Sequence, residues 1–308
     1  MRVFDIHSDM LYDLHRRSAA GIKNRFHDFH VKELKDSAVK AAVWTMYSPD
    51  DFDLFEGLKI ALSEIKIEEL PGFEVILGLE GLRNLKCADD IDKLYEMGFR
   101  HAMLTWNEEN IFATGAKANP ESGLKPEGVK LLKRMQELGM IIDLAHLNQK
   151  SFFEALEVID KDYPHVVYSH GCVMSLCKHV RNLTDEQMIA LKNRKGMFGL
   201  TLANNFVSEN KEEQDLEHFL NHVDYAVKMM GIDNICFGFD FMNYLSEFPN
   251  SNIKDVPDAT KAHLILEGLK KRGYSDDEVD KIAFSNFYNR FKDMIVLRGW
   301  LWIKESKA

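Results

Sequence analysis

Eight short runs rich in β-branched and aromatic residues alternate along this chain with longer segments whose apolar residues recur at helical spacing. The runs are 3–6, 41–47, 73–79, 102–105, 140–144, 166–169, 197–202 and 235–239, with helix-like segments at 53–69, 126–138, 185–193, 216–230 and 258–272 among those between or after them. Strands separated by helices pair in parallel through crossovers, and eight such units close into a barrel. An open doubly wound sheet has fewer strands and a glycine-rich first turn, whereas the first run here leads into Asp5-Ile6-His7-Ser8-Asp9. No Pro/Gly/Ser-rich linker divides the 308 residues. The expectation is an α/β protein, a (β/α)8 TIM barrel with an extra C-terminal helix, forming one domain over 1–308. Gly72, Gly98, Gly139, Gly196 and Gly231 each fall between a helix and the next run, as helix C-caps do. The segment 275–304 reads as the extra helix and tail packed on the outside, and 107–123 as a lid beside the fourth strand.

A barrel keeps its chemistry at the C-terminal ends of its strands. Those ends carry His7 and Asp9 after the first run, Glu80 after the third, His146 after the fifth, His170 after the sixth and Asp240 after the eighth. The tripeptide His-x-Asp alone says little, because it recurs as His222-Val223-Asp224 inside a helical segment. Position gives the set its meaning: three of twelve histidines and three carboxylates occupy five strand ends. Imidazole nitrogen and carboxylate oxygen suit borderline divalent ions such as zinc, and a carboxylate can bridge two ions. Three histidines and two carboxylates exceed what one tetrahedral catalytic zinc needs, which favours two metals and leaves Asp240 to move a proton. HExxH, GxSxG, GxxxxGK[ST] and GxGxxG are all absent.

Charge and cysteines narrow the partners. With 39 Lys+Arg against 49 Asp+Glu the net charge is −10, and the basic clusters are short, so nucleic acid is not expected. No apolar run approaches a membrane span, and Asp5 and Asp9 stand where a signal peptide would be apolar, which points to the cytoplasm. Cys87, Cys172, Cys177 and Cys236 form no CxxC pair and are expected as idle or buried thiols. His179, near Arg181, reads as a solvent-facing loop residue.

The segments DIHSDM, ILGLEGL, IIDLAHLN, VVYSHGCV, HVRNLTDEQ and GFGFDF, in that order, resemble the membrane (renal) dipeptidase family, peptidase family M19, of the amidohydrolase superfamily. The likeness runs from residue 3 to about residue 292. It implies two Zn²⁺ per chain, one held by His7, Asp9 and Glu80 and the other by Glu80, His146 and His170. Glu80 would be the bridge, Asp240 the proton shuttle and Arg181 the group that binds the substrate's terminal carboxylate. Where many members have a His after strand 4, this sequence reads Leu104-Thr105-Trp106-Asn107. Trp106 donates one N–H but carries no charge, so it would shape a side-chain subsite or pack the barrel mouth.

The expected function is that of a zinc-dependent metallo-dipeptidase. A metal-bridged hydroxide would hydrolyse the peptide bond of dipeptides, including those with a C-terminal D-residue. The alternatives are a related amidohydrolase acting on N-acyl amino acids or other small amides or esters, and a non-catalytic metal-binding barrel. The expected partners are a small dipeptide and, in a homodimer, a second copy of the chain, with no nucleic acid and no membrane.

Overall fold

The structure is a computed structural model that describes residues 1–48, 52–245, 247, 248, 250–299, 301 and 302. All eight expected strands are present: β1 (Val3–Ser8), β2 (Val39–Tyr47), β3 (Glu74–Glu80), β4 (Phe99–Met103), β5 (Ile141–Asp143), β6 (Val166–Gly171), β7 (Met197–Leu200) and β8 (Ile235–Phe237). Each pairs in parallel with its neighbours; β8 pairs with β1 and β3 with β4, so the sheet closes into a (β/α)8 barrel.

Both faces of the strands are buried, which is why they read as continuous apolar runs. Along β2, Ala41 and Val43 face the barrel interior with Phe4, Ile6, Ile76, Ile141, Val167, Met197 and Cys236. Ala42, Trp44 and Met46 instead pack outward under the helices, in the larger cluster. Capping residues start the helices: Thr184 and Gln187 form a capping box on Asp185–Asn193, and Asp215 accepts from His218 N on Leu216–Met230. Four of the five inter-element glycines adopt positive φ, but before β7 the left-handed position falls on Lys195 instead of Gly196. No helix among the described residues is long and apolar enough to cross a membrane.

One expectation is corrected. The C-terminal segment is a helix (Asp276–Asp280), a π-helical turn (Lys281–Ser285) and a second helix (Asn286–Phe291), but it does not merely lie on the outside. Phe284, Phe287 and Phe291 close the N-terminal end of the barrel, with the Phe287 ring 4.7 Å from that of Phe4. Burying three aromatic rings there is worth several kcal/mol, which an external helix would forgo. The tail then forms β9 (Leu297–Arg298), antiparallel to β3, and β10 (Leu301–Trp302), antiparallel to β9; residues 303 and 304 lie outside the described residues. The segment 107–123, expected as a lid, is anchored in its middle, while Lys117 and residues 119–121 are exposed. Phe112, Ala113 and Thr114 are fully buried, and backbone bonds tie Ala116 to His146 and Asn148 to Thr114.

Candidate metal centre

Side chains alternate along a strand, so β1 should aim His7 outward once Phe4 and Ile6 face in. A β-bulge reverses this: Asp5 pairs with Ala42 but Ser8 with Trp44, three residues against two. The same device acts on β6, where Tyr168 pairs with Phe198 and Gly171 with Leu200, and it brings His170 to the site. His146 and Asp240 arrive differently, from turns in which each adopts a left-handed backbone, φ 70° and 56°. Such conformations are costly for residues other than glycine and concentrate at functional sites.

The structure thus brings together every metal-site residue expected from the sequence. His7 Nε2 lies 3.8 Å from Asp9 Oδ2, 3.8 Å from Glu80 Oε1 and 3.8 Å from Asp240 Oδ1. This imidazole is fully buried, and neither of its nitrogens has a hydrogen-bond partner. Glu80 Oε1 is also 2.7 Å from His146 Nε2 and 3.9 Å from His170 Nε2, and the two Nε2 atoms are 2.9 Å apart. Their Nδ1 atoms also have partners: His146 Nδ1 lies 3.2 Å from Asn107 Oδ1, and His170 Nδ1 lies 2.8 Å from Ser169 Oγ. Each Nε2 faces Glu80 and the Arg181 guanidinium, which lies 2.7 Å from His146 Nε2 and 2.8 Å from His170 Nε2 and would have to give way for both nitrogens to ligate a metal. The Thr45 hydroxyl, 2.9 Å from Asp9 Oδ1, orients that carboxylate. An unpartnered buried imidazole equidistant from three carboxylates, beside two convergent imidazoles, fits divalent cations and is otherwise a costly arrangement.

Electrostatics agree. Burial disfavours charge on His7, but Asp9, Glu80 and Asp240 outweigh it and push its pKa up to about 10. Burial, then the neighbouring Asp9, raises Glu80 well above the ordinary carboxylate range. Burial likewise lifts Asp240 to about 6, with Asp9 adding to the rise and His7 and Arg181 opposing it. Burial, with Arg181 and His7 nearby, holds His146 and His170 neutral. A cation entering this cluster must displace the proton of His7. Metal affinity is therefore expected to fall as the pH is lowered between pH 9 and 7. Chelator competition across that range checks the slope; a flat profile would contradict it.

Beneath the ligands lies a polar layer that the sequence reading missed. The Asp143 carboxylate, fully buried, accepts from His101 Nε2 at 2.8 Å, Ala145 N at 2.9 Å and Ser169 N at 3.0 Å. Burial alone would raise its pKa, yet these partners hold it below the usual range. Gly78 on β3 makes room for the pair, since a Cβ there would sit 2.5 Å from His101 Nδ1. The carboxylate fixes the turn that carries His146 and the strand end that carries His170. Asp143→Ala would strand three buried donors and is expected to cost about 3–5 kcal/mol in urea denaturation, with weaker metal binding. A charged residue inside the otherwise apolar run 140–144 was the available signal, because it can be buried only with partners.

Arg181 is buried, its Nη1 2.7 Å from both His146 ring nitrogens and its Nη2 2.8 Å from His170 Nε2. His179 is half-buried against Phe206 (4.1 Å between centroids), a correction to the solvent-facing reading, and its Nδ1 accepts from Arg181 N at 3.3 Å. Trp106 is half-buried, its ring 6.1 Å from that of His146. His222 is a satisfied core residue, accepting from Val173 N and donating to Val207 O. All four cysteines are free thiols.

The model of the membrane dipeptidase family, peptidase family M19, matches residues 56–295. The chain belongs to that family. Among relatives it is 27% identical over 214 residues to dipeptidase tcpJ of Claviceps purpurea, an alignment covering 68% of this chain and 48% of that protein. The chain spans about half the length of the dipeptidase-named relatives it matches. The fold is shared with a metallo peptidase from Rhodobacter sphaeroides solved with a phosphinate mimic of L-Ala-D-Ala (TM-score 0.81, 19% identity, 95% of this chain and 99% of that one). It is shared also with the M19 metallo peptidase dipeptidase AC (TM-score 0.79, 21% identity, 95% and 98%). Membership of this metallopeptidase family implies metal ions, and the cluster around Glu80 is where the donors converge.

Proposed function

We propose that this chain is a single barrel unit that hydrolyses dipeptides, with one Zn²⁺ held by His7, Asp9 and Glu80 and a second by Glu80, His146 and His170. The observation that carries the reading is the reach of Glu80 Oε1 to all three imidazoles, within 2.7–3.9 Å, as a bridging carboxylate needs. Bound there, the ions would supply an activated water near neutral pH and polarise the scissile carbonyl. Asp240 is the most exposed of the three carboxylates, its side chain 15% accessible against 8% for Asp9 and 6% for Glu80. It can exchange protons with solvent, and its role is to carry one to the leaving amine. Arg181 pairs with the substrate's terminal carboxylate beside the metals, which limits substrates to short ones. That contact does not read the configuration of the C-terminal residue, in keeping with D-residues there; the Rhodobacter sphaeroides neighbour carries an L-Ala-D-Ala mimic. The free thiols suit a reducing cytoplasm.

Metal analysis and a substrate panel test the reading. About two zinc equivalents per chain and cleavage of L-Xaa-D-Xaa or L-Xaa-L-Xaa dipeptides are expected. Activity confined to N-acyl amino acids would move the assignment to a related amidohydrolase, and a metal-free inactive protein would leave a non-catalytic barrel. Arg181→Ala is expected to raise KM for a dipeptide about 10²-fold while barely changing KM for the corresponding dipeptide amide, which lacks the carboxylate. Steady-state kinetics on the two substrates check this.

A further inference from the structure

Three aromatic side chains form a continuous wall from the surface to the ligand cluster. Tyr12 lies on the helix Met10–Ala19, Tyr47 at the end of β2 and Trp106 beyond β4. The Tyr12 and Tyr47 rings meet edge to face at 5.1 Å, Tyr47 and Trp106 at 5.3 Å, and Trp106 stands 6.1 Å from the His146 ring. Tyr47 is paired in register with Glu80 and lies two residues beyond Thr45, on the inward face of its strand. All three residues are half-buried, so each keeps some accessible surface.

A cation packs against two of the rings. The Arg83 guanidinium lies 5.9 Å from the Tyr47 ring centroid and 6.0 Å from that of Trp106, and it is anchored on Glu108 at 2.8 Å. The other Glu108 oxygen accepts from Asn110 Nδ2 and, at 3.4 Å, from Trp106 N. Gly81, with φ 82°, lets the turn after Glu80 pass against this segment; a Cβ there would sit 3.1 Å from Trp106 N. Burial keeps both phenols protonated, that of Tyr47 pushed up to about 12; Glu80 contributes to the rise at Tyr47 and Asp9 to that at Tyr12. The wall is therefore uncharged although it borders the carboxylate cluster.

Its place decides what it can bind. Arg181 reaches His146 and His170 from the segment after β6, whereas the wall is built on the β1–β4 side. A dipeptide with its carboxylate on Arg181 and its scissile carbonyl over the cluster directs its first residue toward the wall, one Cα–Cα step of about 3.8 Å further on. We propose that Tyr12, Tyr47 and Trp106 form the subsite for the N-terminal side chain, and that the preferred substrates carry a large apolar residue there, above all an aromatic one. This rests on the dipeptidase reading above. Edge and face contacts with three rings favour phenylalanine over alanine, and the area buried corresponds to about 10- to 100-fold in kcat/KM.

The test compares Gly-, Ala-, Leu-, Phe- and Asp-D-Ala as substrates of the zinc-loaded protein, together with calorimetric binding of the same peptides to its Asp240→Asn variant. Phe and Leu peptides are expected to lead, mainly through KM. Trp106→Ala and Tyr47→Ala should each lower the Phe-to-Gly ratio of kcat/KM about tenfold, and Trp106→Phe should restore most of it, with zinc content unchanged. Hydrolysis with no side-chain preference, or an equal loss on every peptide in the variants, would overturn the subsite. If no peptide is cleaved but Phe-D-Ala binds more tightly than Gly-D-Ala in a Trp106-dependent way, the dipeptidase reading fails and the subsite stands. Equal binding of all peptides would remove the subsite as well.

Discussion

Glu80→Ala is expected to remove metal and activity together. One oxygen of this carboxylate lies 2.7 Å from His146, 3.8 Å from His7 and 3.9 Å from His170, so its loss disturbs both ligand sets at once. A bound metal pair contributes several kcal/mol of transition-state stabilisation, and each 1.36 kcal/mol is tenfold in rate. The expected fall in kcat/KM is on the order of 10³-fold or more, with bound zinc dropping from about two equivalents to one or fewer. Glu80→Gln, which keeps the shape but not the charge, should fall nearly as far, because a neutral amide is a poor bridge. Equilibrium dialysis with elemental analysis, run beside kinetics and circular dichroism, separates metal loss from unfolding. A folded Glu80→Ala protein with two zinc ions and wild-type activity would sink the proposed centre.

Asp240→Asn should behave in the opposite way: metal retained, chemistry lost. Asp240 faces His7 at 3.8 Å, is held by a left-handed backbone and has its carbonyl oxygen bonded by Asn252 Nδ2 at 2.9 Å, so its orientation is fixed by the fold. Asparagine preserves that geometry but cannot carry a proton to the leaving nitrogen. General acid–base catalysis is worth about 10²–10⁴-fold, and kcat should fall by that much with KM nearly unchanged. The carboxyl is lifted to about 6 without metal. Bound cations favour its ionised form and move this value down, so the wild-type acid limb of kcat is expected at or below pH 6. A shuttle must be ionised to take the proton, so activity falls as pH drops through this limb, and the variant's residual rate should lack it. An Asp240→Asn enzyme with unchanged kcat would remove the residue from the chemistry.

The barrel was legible because its eight strands are buried on both faces and its helices on one, which writes two periods into the sequence. The ligand positions were legible because a barrel presents chemistry at one end only. Other features depend on three-dimensional partners. Phe284, Phe287 and Phe291 read as an amphipathic helix, and nothing in their spacing says that their apolar face plugs the barrel. The loop 107–123 has the composition of a lid, and only the structure shows that Phe112 and Thr114 anchor its middle in the core. Asp143 and His101, 42 residues apart, are meaningful only as a pair.

The sequence by itself determined the strand count and which residue types stand at the strand ends, because local periodicity and chain order carry that information. Only the tertiary structure decided where those side chains point. Strict alternation from Phe4 and Ile6 would aim His7 away from the site. It is the three-against-two pairing of β1 with β2, and of β6 with β7, that turns His7 and His170 toward Glu80. A bulge is a property of register between two strands, and register is set by packing across the sheet rather than by either strand alone.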